Sequence, residues 1–331
     1  IYSLLHLSGY DGMPMEELKQ FRQWGSMTPG HPERNHPAGV EMTTGPLGQG
    51  IGSAAGMAIA ERLLAERFNR PGFDIVDHFT YVIVSDGDLM EGISHEACSL
   101  AGHLGLGKLI VYYDDNSITI DGSTEIAFSE DVLKRFDAYG WHIQQIDGHD
   151  PLAIIEATEA AQAETERPSI IACRTQIGYG SPNKANTASA HGSPLGDDEI
   201  RLTKEKLGLP PDEQFYIVEG AQEFLAKDGQ LYADWQQMWR AYAEANPTAA
   251  IAYQDALADK LPANWDEILP EFEIGKAMGT RVFSGHVLNA LAPHIPTLIG
   301  GSADLTGSNK TGITGEKDIT RDDFSGRYIR Y

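Results

Sequence analysis

The chain reads as an α/β protein: a parallel sheet flanked by helices, with the start of a second α/β domain near its C-terminal end. Two apolar runs carry this reading. Phe79-Thr80-Tyr81-Val82-Ile83-Val84 and Lys108-Leu109-Ile110-Val111-Tyr112-Tyr113 are short, β-branched and aromatic, as buried strands are. Between them, His95 to Leu106 places Ala97, Leu100, Ala101 and Leu104 on one helical face. A strand, a helix and a strand at this length form a crossover, which sets the two strands parallel and adjacent. The same alternation continues downstream, which argues for a sheet covered on both faces.

In chain order, residues 1–45 read as helical and then loop-like around Pro29, Pro32 and Pro37. Gly45-Pro46-Leu47-Gly48-Gln49-Gly50 punctuates the chain before a helix from Ile51 to Phe68. Ile51, Ala55, Ile59 and Leu63 form its apolar ladder, and Gly52, Gly56 and Ala60 leave a neighbouring face small. After the crossover come a loop over Asp121–Ser129, a helix over Glu130–Tyr139 and a strand over Trp141–Ile146. An alanine-rich helix over Pro151–Glu166 leads to a strand over Ser169–Thr175. Residues 178–196 form a long loop, and loops of that length are usually functional or disordered. Glu199–Ala245 reads as helical, 246–272 as a connector, and Ile274–Leu291 as a helix. Pro296–Gly301 then reads as the strand that opens the second domain.

The crossover has a chemical consequence. Ser85-Asp86-Gly87-Asp88 ends the first strand and Asp114-Asp115-Asn116 ends the second, so Asp86 and Asn116 meet at the carboxyl edge of the sheet, where open α/β sheets bind ligands. Mg²⁺ takes oxygen ligands, usually one or two protein carboxylates completed by phosphate oxygens and water. Asp86 offers a carboxylate, Asn116 an amide oxygen and Ile118 a backbone carbonyl, while Gly87 gives a diphosphate room to approach the backbone. Read singly, each cluster is equally a set of turn residues; together they favour a metal–diphosphate site.

These residues stand among longer runs. Thr28-Pro29-Gly30-His31-Pro32-Glu33, Thr43-Thr44-Gly45-Pro46-Leu47-Gly48-Gln49-Gly50, Glu91-Gly92-Ile93-Ser94-His95-Glu96-Ala97, Ile120-Asp121-Gly122, His191-Gly192-Ser193-Pro194-Leu195-Gly196 and Gly300-Gly301-Ser302-Ala303-Asp304-Leu305 resemble transketolase, in the family's order, over essentially the whole chain. Ser85 departs from the family's usual glycine but stays small.

The resemblance implies a thiamine diphosphate-binding fold, with residues 1–245 as the diphosphate-binding domain, 246–272 as a connector and 273–331 as the beginning of the pyrimidine-binding domain. It implies thiamine diphosphate with Mg²⁺, Ca²⁺ and Mn²⁺ being alternatives, held by Asp86, Asn116 and Ile118 with Gly87 at the phosphates. Gly45 then lies near the diphosphate and Leu47 near the pyrimidine; on residues alone this stretch is a turn before a helix. His31 would face the substrate, and His191 both the diphosphate and the reacting oxygens. A neutral imidazole shuttles protons near neutral pH, although an exposed loop histidine is the commoner fate of any one of the 11 histidines. Arg281 and Ser308 match positions that bind the sugar phosphate, for which the guanidinium fork is suited, and a surface ion pair is the plainer reading of Arg281. Asp304 matches a position contacting cofactor or substrate across a subunit interface. Glu91 and Glu96 match interface glutamates, although acids at a helix start need no further reason.

The implied activity is reversible transfer of a two-carbon ketol unit from a ketose phosphate to an aldose phosphate, in the pentose phosphate pathway or the Calvin cycle. A homodimer with sites between subunits is implied too. Dihydroxyacetone synthase and 1-deoxyxylulose phosphate synthase are related chemistries, and Arg281 with Ser308 favours phosphosugars over pyruvate. The resemblance puts two further histidines ahead of Ile1 and the pyrimidine-contacting acid just past Tyr331. An apolar helix-like start and a strand-like end at Tyr328–Tyr331 fit an excerpt. From this comes a reading of another class, a non-catalytic cofactor-binding fragment or half of a split enzyme.

Composition bounds the partners. The 331 residues suffice for two domains, and 41% apolar with 22% charged residues is ordinary for a globular protein. A net charge of −23 argues against nucleic acid and anionic membrane as partners. No apolar run reaches membrane-spanning length. Cys98 and Cys173 read as small core residues, which suits a reducing, cytoplasmic setting.

Overall fold

In a computed structural model, described over residues 1–226 and 229–331, the chain divides into two compact units. One comprises residues 1–58 and 79–229, the other residues 59–78 and 230–331.

The first unit opens with two short helices, α1 (Tyr2–Leu7) and α2 (Met15–Lys19), and a long turn-rich segment. Helix α3 (Gln49–Phe68) follows, and its Ile51, Ala54, Ala55 and Ala58 are buried. Of the expected ladder, Ile51, Ala55 and Ile59 are buried and Leu63 is half-buried. Of the small face, Gly52 lies near Ile93, while Gly56 and Ala60 are exposed and a Cβ at Gly56 would meet nothing.

Strand β1 (Thr80–Ser85) runs into a one-and-a-half-turn helix, α4 (Asp86–Met90), and then α5 (Gly92–Leu104), which Gly105 ends in the left-handed conformation. Strand β2 (Leu109–Asp115) pairs with β1 in parallel, with Ser85 opposite Asp114. A small hairpin pairs β3 (Ile118–Thr119) with β4 (Gly122–Ser123), and its second strand falls inside the stretch expected to be loop. Helix α6 (Val132–Ala138), strand β5 (His142–Asp147), helix α7 (Pro151–Ala163) and strand β6 (Ser169–Arg174) complete the alternation. Asp131 and Asp150 cap α6 and α7 through their side chains. The sheet order is β1-β2-β6-β5, all parallel.

Side-chain alternation decides which helix covers which face. Ile110 and Ile171 point toward α7 and pack on Ala157 and Ala161, whose small side chains let the helix approach. On the other face, Tyr113, Ile143 and Ala172 share a cavity of about 610 Å³ with Val132 and Leu133 of α6. The expectation that β1 is buried holds only in part. It is an edge strand, with Ile83 76% exposed and Tyr81 47% exposed.

The segment expected to be helical from Glu199 is broken into α8 (Asp197–Leu207), α9 (Ala221–Leu225) and α10 (Gly229–Ala245). Gly208 ends α8 with φ +72°.

The second unit is centred on Phe68, Ile75, Val76, Tyr242, Ala250 and Tyr253, with α11 (Pro247–Leu257) supplying the last two. The Tyr242 hydroxyl donates to the Phe68 carbonyl at 2.7 Å. Helix α12 (Thr280–Leu291) starts later than the sequence suggests, because Gly275 adopts φ +88° and Gly279 takes the extended cap conformation. Strand β7 (Gly300–Ser302) pairs in parallel with β8 (Tyr328–Arg330), and the short α13 (Thr306–Asn309) lies between them in sequence. No helix among the described residues is long and apolar enough to cross a membrane.

Candidate functional site

The site in the first unit forms where β1 and β2 end. Because Ser85 pairs with Asp114, the next residues of both strands emerge together. Asp86 opens α4 and is only 2% exposed. Its Oδ1 accepts from the Tyr113 hydroxyl at 2.5 Å and its Oδ2 from the Ser117 backbone N–H at 3.1 Å. Ser117 reaches that position with φ +62°, directly after Asn116. The sequence-predicted neighbours Asp86 and Asn116 are therefore joined through one backbone amide.

Asn116 is also buried. Its Nδ2 donates to Asp114 Oδ2 at 3.1 Å, and its Oδ1 accepts from the Ile118 N–H at 2.9 Å. An amide oxygen has a second lone pair, so that oxygen keeps a free acceptor position. The turn is braced from outside: Thr175 donates to Asp114, and Arg174 donates to Asp115 Oδ1 at 2.9 Å and to Ser117 Oγ at 2.8 Å.

Burial pushes the Asp86 carboxyl above its ordinary value; the Tyr113 and Ser117 hydrogen bonds pull it back, and the nearby Asp115 and Asp114 carboxylates push it further up. Burial, followed by the bond to Asp86, raises the Tyr113 phenol in turn. Tyr113 therefore stays a protonated donor.

The Gly45–Gly50 loop is fixed to this site by Asp88. Asp88 Oδ1 accepts from the Gly48 N–H at 3.1 Å, and its Oδ2 accepts from the Ser85 N–H at 3.0 Å and the Ser85 hydroxyl at 3.2 Å. Leu47 is thereby held beside Gly87, where a Cβ would come within 3.4 Å of Leu47 Cδ1. Gly45, with φ +137°, passes so close to His31 that a Cβ there would sit 2.6 Å from His31 Cγ. The loop thus groups His31, Gly45, Leu47 and Gly87, with the His31 and Leu47 side chains exposed.

His191 lies at the end of a short 3₁₀ turn, Ala188–Ala190. Its Nδ1 is shielded from solvent without a hydrogen-bond partner among the described residues. Glu91 and Glu96 are exposed on and beside α5.

In the second unit, Arg281 is exposed in the first turn of α12, and Ser308 is exposed in α13. Asp304 is also exposed, and lines a cavity of about 480 Å³ with Thr306, Arg330 and Tyr331.

Sequence reasoning passed over two residues that hold the site in place. Asp88 was legible in principle, being part of the same four-residue cluster as Asp86. Tyr113 was not, because in the sequence it is one more apolar strand residue.

A buried carboxylate and a neighbouring amide at the carboxyl edge of a parallel sheet stand where open α/β folds bind their ligands, which makes this a ligand-binding α/β domain. Residues 1–262 match the family model described as "Transketolase, thiamine diphosphate binding domain". The transketolase of Halalkalibacterium halodurans is 51% identical over 99% of this chain and 50% of its own length. Transketolase 1 of Escherichia coli is 50% identical over the whole of this chain and 51% of its own. Among solved structures, a Pichia stipitis transketolase in complex with sedoheptulose-7-phosphate superposes with a TM-score of 0.95 at 45% identity, covering 100% of this chain and 50% of that one. Transketolase from Leishmania mexicana gives 0.95 at 43% identity, over 99% of this chain and 50% of that one. The chain belongs to the transketolase family, and it spans about half the length of the curated relatives it matches.

Proposed function

We propose that this chain binds thiamine diphosphate through a divalent cation, as the diphosphate-binding part of a transketolase. In this reading residues 1–245 hold the diphosphate, 246–272 connect, and 273–331 begin the pyrimidine-binding part. The observation that carries it is the buried Asp86 carboxylate, bonded to the Ser117 amide beside Asn116 at the ends of two adjacent strands.

The donors fit the group. Asp86, Asn116 and the Ile118 carbonyl are hard oxygen ligands, and Mg²⁺ usually keeps water and phosphate oxygens besides one or two carboxylates. Three carboxylates, Asp86, Asp114 and Asp115, interact around the site, and a cation would relieve that repulsion. Ca²⁺ and Mn²⁺ fit the same donors.

Thiamine diphosphate, when bound, supplies the carbon nucleophile of ketol transfer. The chain's own residues bind and orient. Gly87 leaves the backbone open to the diphosphate, Gly45 lets its loop pass close against His31, Leu47 presents an exposed apolar side chain, and Asp88 fixes the loop that carries it. His31 and His191 hold or move protons at the substrate oxygens, with His191 Nδ1 already desolvated and free to accept or donate. Arg281 and Ser308 bind the sugar phosphate and Asp304 borders the cofactor or substrate. The substrates are a ketose phosphate and an aldose phosphate, and sedoheptulose-7-phosphate is bound by a structural relative.

Exposed Glu91, Ile93 and Glu96 support a homodimer with these glutamates near its interface. The free, buried Cys98 and Cys173, pushed up by burial to about 12 and about 11, agree with a reducing cytoplasmic setting. The test is a ketol-transfer assay on the natural polypeptide with thiamine diphosphate and Mg²⁺. Transfer between phosphosugars that stops when either addition is withheld supports the reading. Absence of transfer, or transfer independent of both, overturns it.

A further inference from the structure

The loop over residues 178–196 stacks Tyr179 on His149 and is tied to α8 by one carboxylate. Glu199, in the first turn of α8, is 8% exposed. Its Oε1 accepts from the buried Ser181 hydroxyl and from the Asn183 N–H at 2.8 Å, and its Oε2 accepts from Asn183 Nδ2 at 2.8 Å. Ser181 in turn accepts from the Lys184 N–H at 3.0 Å, and Lys184 Nζ donates to the Leu195 carbonyl at 2.7 Å. These bonds close the segment from Lys184 to Leu195 into a ring with His191 inside it. Within the ring, the Thr187 hydroxyl donates to the Lys184 carbonyl at 2.7 Å, and the Ala190 and His191 amides continue the turn. Gly178 closes the other side: a Cβ there would meet Ala190 Cβ at 3.0 Å.

We propose that Glu199 is a positioning residue, which straps this loop so that His191 is held in place before cofactor or substrate arrives. The proposal rests on the role given to His191 above. A fixed imidazole matters because small misplacements of a reacting group are costly, and because a loop rich in Gly, Ser and Asn has many conformations to lose. Glu199 has the features for this task. It is buried with both oxygens accepting hydrogen bonds, and these bonds hold its carboxyl at about 2, so the strap is charged throughout the neutral range.

The experiment is a double-mutant cycle on the natural polypeptide: Glu199→Ala, His191→Ala and the pair. Two quantities are read, amide hydrogen exchange over residues 178–196 without cofactor, and thiamine diphosphate affinity by titration in the presence of Mg²⁺. Glu199→Ala is expected to raise exchange at Asn183, Lys184, Ala190 and His191 and to weaken affinity by about tenfold or more. That loss should vanish when His191 is already alanine. An equal loss in both backgrounds, or unchanged exchange, overturns the strap while leaving the role of His191 standing. A His191→Ala variant with unchanged affinity and turnover overturns that role, and the strap with it. Should Glu199→Ala fail to fold, Glu199→Gln keeps the volume and removes the charge, and the same two results decide.

Discussion

The Tyr113 hydroxyl donates to Asp86 Oδ1 at 2.5 Å across the β1–β2 pair, from a strand whose Leu109, Ile110 and Val111 are core. This bond and the Ser117 amide hold a carboxylate in a place where burial works against its charge. Holding a charged carboxylate under burial is costly to the fold, and that cost can be measured.

Asp86→Asn should stabilise the cofactor-free protein by about 0.5–2 kcal/mol, as substitutions relieving functional strain commonly do. The asparagine oxygen can take the Ser117 amide, and its NH₂ can donate to Tyr113, whose hydroxyl both gives and accepts. The sign follows from the raised carboxyl: ionising it costs stability as pH rises above its ordinary value. Denaturant midpoints at pH 4 and pH 7 check this, and the advantage of the variant should be larger at pH 7.

Gly45→Ala should destabilise by about 1–3 kcal/mol, the range for an L-residue held in strained backbone. The position has φ +137°, and the added Cβ would stand 2.6 Å from His31 Cγ. Because His31 must move, and the proposed function puts it at the substrate, the KM for the ketose phosphate should rise as well. Thermal unfolding and steady-state kinetics measure the two effects separately.

Asp88→Ala removes the acceptor shared by Gly48 and Ser85. A loss of about 1–2 kcal/mol is expected from the helix cap alone. Release of the Gly48 tether should also weaken thiamine diphosphate binding. Asp88→Asn keeps one oxygen and should recover part of both. Calorimetric unfolding and cofactor titration across the two variants test the order wild type, Asn, Ala.

The Glu199 strap predicts a pH window. Its carboxyl is lowered from 4.5 to about 2 by the Asn183 and Ser181 hydrogen bonds. A depressed carboxyl contributes stability that is fully present above its unfolded value and is lost as pH falls toward the folded one. The Tm difference between wild type and Glu199→Gln should therefore be flat above about pH 5 and shrink between about pH 4.5 and pH 2. A difference that stays constant over that window would contradict the assignment.

The meeting of Asp86 and Asn116 was legible in the sequence because it depends on local facts: two strand-like runs, one helix between them, and the handedness of a crossover. Tyr113 was illegible for the opposite reason. Alternation says which face its ring joins, but the hydroxyl finds Asp86 only because β1 and β2 pair in the register that sets Ser85 against Asp114. Strand β1 looked buried because its residues are apolar throughout, and composition does not say how many neighbours a strand has. The late start of α12 turned on Gly275 taking a left-handed conformation, which glycine permits but does not require. Glu199 resembled any acid at a helix start until its three hydrogen bonds were seen.

The most direct test of the account is titration of the natural polypeptide with thiamine diphosphate, with and without Mg²⁺, in wild type and Asp86→Ala. The account predicts saturable, Mg²⁺-dependent binding in wild type and a loss of about tenfold or more in the variant. Equal, Mg²⁺-dependent affinity in both would remove Asp86 from the site and contradict the reading.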